Sequence, residues 1–124
     1  MMKNTLSEMS ILQQMCNPHA VKIHYAFWSD EDLYMVLDYC PGGELFFYLD
    51  NIGQFAEQTA KFYAANVVLA LNSLHDANIL YRDLKPENVL VDRDGYLKLT
   101  DFGLSKVMPA DDLRKNCPLV PDHE

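Results

Sequence analysis

The sequence predicts an α+β chain in which helices and short strands follow one another without an internal repeat. Three observations carry this. Val21, Ile23, Tyr25 and Phe27 alternate with Lys22, His24 and Ala26, the period of a half-buried strand. Apolar residues recur at helical spacing from about Glu57 to His75. Beyond that helix, short apolar runs (Ile79-Leu80, Val89 to Val91, Tyr96 to Leu99) are separated by turn residues.

In chain order, Thr5-Leu6-Ser7-Glu8 reads as a capping box, with Thr5 as cap and Glu8 reaching back. Leu6, Met9, Leu12 and Met15 continue it at helical spacing, and Asn17-Pro18 ends the helix. The alternating strand follows. Ser29 to Asp32 form a polar turn, and Leu33 to Leu37 make a second strand, so the pair should be a hairpin. Pro41-Gly42-Gly43 interrupts the pattern, and Glu44 to Leu49 suit a short helix. In the long helix, Phe62, Val67, Leu71 and Leu74 are the inward candidates, and Ala56 leaves its start poorly capped. Asp94-Gly95 turns between the last two strands. After Lys106 the periodicity stops, and Pro109, Pro118 and Pro121 predict an irregular tail.

Composition narrows the functional classes. Of the 124 residues, 49% are hydrophobic and 23% charged, which fits a globular domain and not a disordered chain. The net charge of −8 and the lack of a basic stripe argue against duplex nucleic acid as a partner. No apolar run approaches the roughly 20 residues that span a bilayer, so no membrane partner is expected. Cys16, Cys40 and Cys117 are odd in number and scattered, as free thiols in a reducing compartment would be. The expected location is the cytosol or the nucleus. The four His show no metal-ligand spacing.

The chemistry concentrates in Tyr81-Arg82-Asp83-Leu84-Lys85-Pro86-Glu87-Asn88, followed by Asp101-Phe102-Gly103. This is the spacing of a protein-kinase catalytic loop and its metal-binding triplet. Each polar group has its own task in phosphoryl transfer: one Asp accepts the proton of the substrate hydroxyl, while an Asn and a second Asp hold magnesium. Either motif alone is weak. Both, in order and joined by one hairpin, are specific. From about Asn4 to Lys106 the chain resembles a eukaryotic protein kinase, and Lys85-Pro86-Glu87-Asn88 resembles the serine/threonine branch. Tyr81 in place of the usual His, with Leu33-Tyr34-Met35-Val36, Pro41-Gly42-Gly43-Glu44-Leu45-Phe46 and Phe62-Tyr63-Ala64-Ala65, resembles the AGC group.

The resemblance implies a set of roles. Asp83 is the catalytic base, and Lys85 lies beside the transferred phosphate. Asn88 and Asp101 hold Mg2+. ATP is held by Leu37 as gatekeeper, by the hinge Asp38-Tyr39-Cys40 through backbone groups, by Glu44 on the ribose, and by Glu87 and Leu90. Glu8 matches the acid that pairs with a phosphate-anchoring lysine, and a capping box is an equal reading of it. Glu44 is equally a favourable charge at a helix start. Leu12, Ile23, Tyr81 and Phe102 match one apolar spine, and Leu45, Val89, Leu90 and Val91 match the column under adenine. Plain core accounts for these eight equally well.

The implied fold is an incomplete protein-kinase fold: residues 1–106 form a partial domain, with a small-lobe remnant at 1–40 and the hinge and start of the large lobe at 41–106, and 107–124 form a divergent tail. The pattern breaks twice. The chain starts at the helix of Glu8, without the glycine-rich loop and lysine strand. Val107 to Glu124 contains no Ser, Thr or Ala-Pro-Glu, so Arg82 is expected to lose its phosphate partner. The expectation is therefore a fragment, inactive alone, of a serine/threonine kinase whose complete form acts on a protein substrate. The rival expectation is a non-catalytic module that binds nucleotide or a partner. A small-molecule phosphotransferase is disfavoured by Lys85-Pro86-Glu87 and Phe102-Gly103. An apolar side of the Glu57–His75 helix without a partner would drive self-association or chaperone binding.

Overall fold

The computed structural model describes residues 9–11 and 17–109. Residues 9–11 are helical, as the spacing around Met9 predicts. The capping box, Glu8, Leu12, Cys16 and the tail from residue 110 lie outside the described residues.

The alternating residues form strand β1 (Ile23–Trp28), which pairs antiparallel with β2 (Leu33–Leu37). The turn between them is closed by the Ser29 N–H donating to the Asp32 carbonyl at 2.8 Å. One expectation is corrected here. Ile23 pairs with Leu37, but Tyr25 pairs with Val36, so His24 is the extra residue of a bulge. A bulge shifts the side-chain parity by one. Ala26, not Tyr25 or Phe27, therefore turns to the core beside Met35 and Leu37. Tyr25 and Phe27 lie on the outer face with Tyr34 and Val36, where Phe27 and Tyr34 stack at 5.1 Å.

Strand β3 (Gly43–Glu44) begins the next layer and runs straight into helix α1 (Leu45–Ile52). The two glycines are required. A Cβ on Gly42 would sit 2.6 Å from the Val91 side chain and carbonyl, and Gly43 holds a φ of +72°. Close approach lets the Gly42 N–H donate to the Val91 carbonyl at 3.0 Å, which seats β3 against the strand of Val91.

Helix α2 (Glu57–Asp76) is the predicted long helix, and its Ala56 start has no side-chain cap. It packs on β4 (Ile79–Leu80) and β6 (Leu97–Leu99). Its inward face is more polar than the spacing suggests. Asn66, Ala70 and Leu74 are buried, Val67 and Leu71 are half-buried, and Phe62 is 42% exposed. Asn66, one turn on from Phe62, is buried in its stead. The Asn66 amide donates to the Phe62 carbonyl at 2.8 Å and accepts the Leu97 N–H at 3.2 Å, so a buried polar side chain pins the helix to β6. Phe62 packs instead against Tyr96 at 5.5 Å.

Strands β5 (Val89–Val91) and β6 complete a three-stranded sheet in the order β3-β5-β6. Asp92 organises their turn by accepting the N–H groups of Asp94 and Tyr96, and Gly95 takes a φ of +87°. The other edge of β6 receives the chain from the N-terminal side: Leu99 donates to His19 and accepts from Val21. The last element among the described residues, β7 (Lys106–Val107), pairs antiparallel with β4 and so continues regular structure one residue beyond the end of the periodic pattern. Among the described residues Phe102, Leu74, Ile79 and Leu99 are the largest fully buried side chains, and they belong to one core cluster with residues of α2, β4, β5 and β6.

Candidate active site

The loop from β4 to β5 presents the motif residues, and three contacts to the segment after β6 shape it. The Tyr81 hydroxyl donates to the Thr100 carbonyl, and the Ser105 hydroxyl donates to the Tyr81 carbonyl at 3.1 Å. Arg82 Nε donates to the Leu104 carbonyl at 2.6 Å. The arginine thus has a backbone partner in this chain, where the sequence leaves it without one. With the β4–β7 pair, these bonds hold the two ends of the loop system together.

Two non-glycine residues here adopt left-handed backbone: Arg82 at φ +65° and Asp101 at φ +58°. Such conformations are unfavourable for most residues and persist only where the surroundings enforce them. At Asp101 the conformation lets Phe102 turn inward, fully buried and edge-on to Tyr81 at 5.4 Å, while the carboxylate stays exposed. One Asp101 oxygen accepts the Gly103 N–H at 3.3 Å, a local turn that fixes the side chain.

The 3-10 turn Pro86–Asn88 brings Asn88 back under Asp83. The Asn88 amide nitrogen donates to the Asp83 carboxylate at 2.8 Å and to its carbonyl at 3.0 Å. Lys85 Nζ lies 3.5 Å from the other Asp83 oxygen. With its nitrogen engaged, the Asn88 side-chain oxygen is left as an acceptor. The Thr100 N–H donates to the Asn88 carbonyl at 3.0 Å, which sets Asp101 one residue beyond this cluster. Asp83, Lys85 and Asn88 are therefore in direct contact, and Asp101 is tied to them through backbone. Among the described residues no three His, Cys, Asp or Glu side chains gather into a metal cage. The donor set fits Mg2+, a hard cation that takes one or two protein oxygens and completes its shell with phosphate and water.

The residues expected around a nucleotide fall into two groups. Leu37 packs half-buried against the core. Cys40 is buried, and burial pushes its thiol pKa up. Glu44 and Leu90 face each other across the β3–β5 ladder, and Glu87 rides half-buried on the turn of Asn88. Tyr81, Phe102 and Ile23 are all buried, as are Leu45, Val89 and Val91.

Asp38 does more than the sequence suggests. Its N–H donates to the Lys22 carbonyl at 2.9 Å, and its carboxylate accepts the Lys22 N–H at 3.0 Å. The same carboxylate meets His24 Nε2 at 2.7 Å and Lys98 Nζ at 3.2 Å. Burial raises the pKa of this carboxyl, but the Lys22 N–H, His24 and Lys98 outweigh burial and hold it at about 2, against an ordinary 3.8. A carboxyl depressed by folding adds stability above its unfolded value and loses it as pH falls through the folded one. Urea midpoints measured from pH about 5 down to about 2 should therefore fall more steeply for the natural chain than for Asp38→Asn, with the difference confined to the window below about pH 4. Parallel curves would show that the network is not formed in solution. Sequence reading missed Lys98 and His24. The only available signal was a charged residue alternating inside each of two apolar strands.

Comparison with known proteins agrees with this geometry. A family model described as the protein kinase domain matches residues 1–118. The chain is 52% identical over 109 residues to Protein kinase 2 of Dictyostelium discoideum, covering 88% of this chain and 23% of that protein. It is 51% identical over 100 residues to cAMP-dependent protein kinase catalytic subunit 3 of Drosophila melanogaster, covering 81% and 17%. It is 51% identical over 102 residues to Ribosomal protein S6 kinase alpha-3 of Mus musculus, covering 82% and 14%. The chain thus spans less than a quarter of the length of each of these three relatives. A family match over residues 1–118, nearly the whole length, places the chain in the protein kinase family.

Proposed function

We propose that this chain carries the proton-, magnesium- and adenine-handling residues of a serine/threonine protein kinase of the AGC group, which transfers the γ-phosphate of ATP to a protein hydroxyl. The observation that supports this best is the Asp83–Asn88–Lys85 cluster, bonded through Thr100 to the Asp101 turn. Asp83 orients the substrate hydroxyl and takes its proton as the oxygen attacks the γ-phosphorus and ADP leaves. Lys85, half-exposed and close to Asp83, balances negative charge on the phosphoryl oxygens. Asn88 and Asp101 would hold the magnesium, which when bound would neutralise charge on the phosphates. The hinge offers backbone groups to adenine, with Leu90 beneath it and Glu44 toward the ribose. A reducing compartment, cytosol or nucleus, suits the buried free thiol of Cys40.

The test is calorimetry with Mg-ATP on the natural chain and on Asp101→Asn. Asn is the appropriate replacement because it tolerates the positive φ at this position. Loss of one carboxylate ligand should weaken Mg-ATP binding by about tenfold or more, and ATP without magnesium much less. Equal binding of Mg-ATP by both proteins would rule out the role of Asp101.

We further propose that the outer side of α2 is a self-association surface. Val68 and Leu69 are 64% and 54% exposed on it. The net charge of −8 opposes association, but this repulsion is screened beyond about 10 Å at 0.1 M salt, whereas apolar contact is not. Light scattering over a salt series should show a mass above that of one chain at every concentration and rising with salt. A monomer throughout would refute it.

A further inference from the structure

Glu44, Leu90 and Lys98 stand side by side across β3, β5 and β6, because Glu44 pairs with Leu90 and Leu90 pairs with Lys98. Residues directly opposite in a ladder project from the same face. Val89, Val91, Leu97 and Leu99 point the other way and are buried. Two members of the row, Glu44 and Leu90, have roles at a nucleotide in the proposed function. The third has none assigned.

Lys98 is not a solvated surface lysine. Its side chain is 21% exposed, and its ammonium lies 3.2 Å from the carboxylate of Asp38, itself 22% exposed. Asp38 is the first residue after β2, and the Lys98 bond joins it to a strand that is 60 residues away in sequence. On its other side, the Asp38 carboxylate receives the Lys22 N–H and His24 from the β1 side. One carboxylate therefore ties three segments together: the approach to β1, the hinge, and the strand that ends at Thr100-Asp101. β6 is held on both edges at this point, since Leu99 bonds to the His19–Val21 segment on one side and the strand pairs with β5 on the other. The depressed pKa of Asp38 agrees with this, because the partners prevail over desolvation.

We propose that Lys98 is a positioning residue of the nucleotide site: it clamps the hinge, through Asp38, to the strand that delivers Asp101, and so holds the adenine-facing and metal-facing ends of the site at a fixed separation. The clamp acts on backbone groups that must meet a rigid purine, and this geometry loses affinity steeply when it loosens. The inference rests on the kinase reading for the identity of the ligand.

The experiment uses the full chain, with Lys98→Met to keep the aliphatic stem and Lys98→Arg to keep the charge. Amide exchange and titration with adenosine and Mg-ADP are measured on each. In Lys98→Met the Asp38 amide should exchange about tenfold faster while the Leu99 amide is unchanged. Adenosine and Mg-ADP should both weaken by about tenfold, unlike Asp101→Asn, which should weaken only the magnesium complex. Lys98→Arg should restore both readouts. Unchanged exchange at Asp38, or equal acceleration at Asp38 and Leu99, overturns the clamp. A natural chain that binds neither ligand sinks the proposed nucleotide site of this chain and with it the task of Lys98 there. Undiminished binding by Lys98→Met, in a chain that does bind, sinks Lys98 alone.

Discussion

Asp83→Asn is expected to lower the rate of phosphoryl transfer to a serine peptide by about 100- to 10,000-fold, the range for loss of a positioned proton acceptor. The substitution is chosen to spare the structure. An Asn at this position still presents one oxygen to the Asn88 amide, which now bonds the Asp83 carboxylate at 2.8 Å. It removes the negative charge that faces Lys85 at 3.5 Å and the lone pair that would receive a proton. Mg-ATP affinity should change only a few-fold, because Asn88 and Asp101 remain. Single-turnover transfer from labelled ATP, in a form of the protein shown to be active, separates the chemical step from binding. A variant that transfers at the natural rate would remove Asp83 from the chemistry. A variant that loses rate and nucleotide affinity in parallel would make it a structural residue.

Phe102→Ala should destabilise the fold by about 3–5 kcal/mol, the usual range for emptying a fully buried aromatic site. Phe102 has no exposure and lies edge-on to Tyr81 at 5.4 Å. A loss of that size is a large share of the roughly 5–15 kcal/mol by which domains are stable. Phe102→Leu, which refills most of the volume, should lose much less. The consequence extends to the site, since burial of Phe102 anchors the left-handed turn that presents the Asp101 carboxylate. Phe102→Ala should thus weaken Mg-ATP binding even where the protein remains folded. Urea unfolding, with Mg-ATP titration below the transition, measures both. A stability loss under about 1 kcal/mol would mean that the ring is not a core residue in solution.

Much of the site is legible from residue identity and spacing alone. The interval from Asp83 to Asn88, with a Pro between them, dictates a tight turn that returns the amide to the carboxylate, and the structure contains that contact. The next interval, to Asp101, holds two short apolar runs and an Asp-Gly turn, which is a hairpin whatever surrounds it. Gly43 is likewise local, because a positive φ belongs to the turn itself, whereas Gly42 is required by the close approach of Val91 from a distant strand. Helix α2 follows from periodicity over a long stretch, where many weak preferences agree.

Tertiary structure decided what local pattern could not. The bulge at His24 reverses which residues of β1 face inward, and a pattern with a period of two carries no mark of a single inserted residue. Asn66 is buried because it satisfies a backbone N–H of β6 that is 31 residues away in sequence, while Phe62 stays partly exposed. Asp38 gathers Lys22, His24 and Lys98 by long-range contact, and Arg82 finds the Leu104 carbonyl through the fold of the loop system. Composition and spacing determined which chemical groups the chain has and the local turns that present them. Which charges and buried polar groups meet depended on pairing between distant strands, because an ion pair or buried hydrogen bond is a property of two surfaces brought together and neither segment encodes it alone.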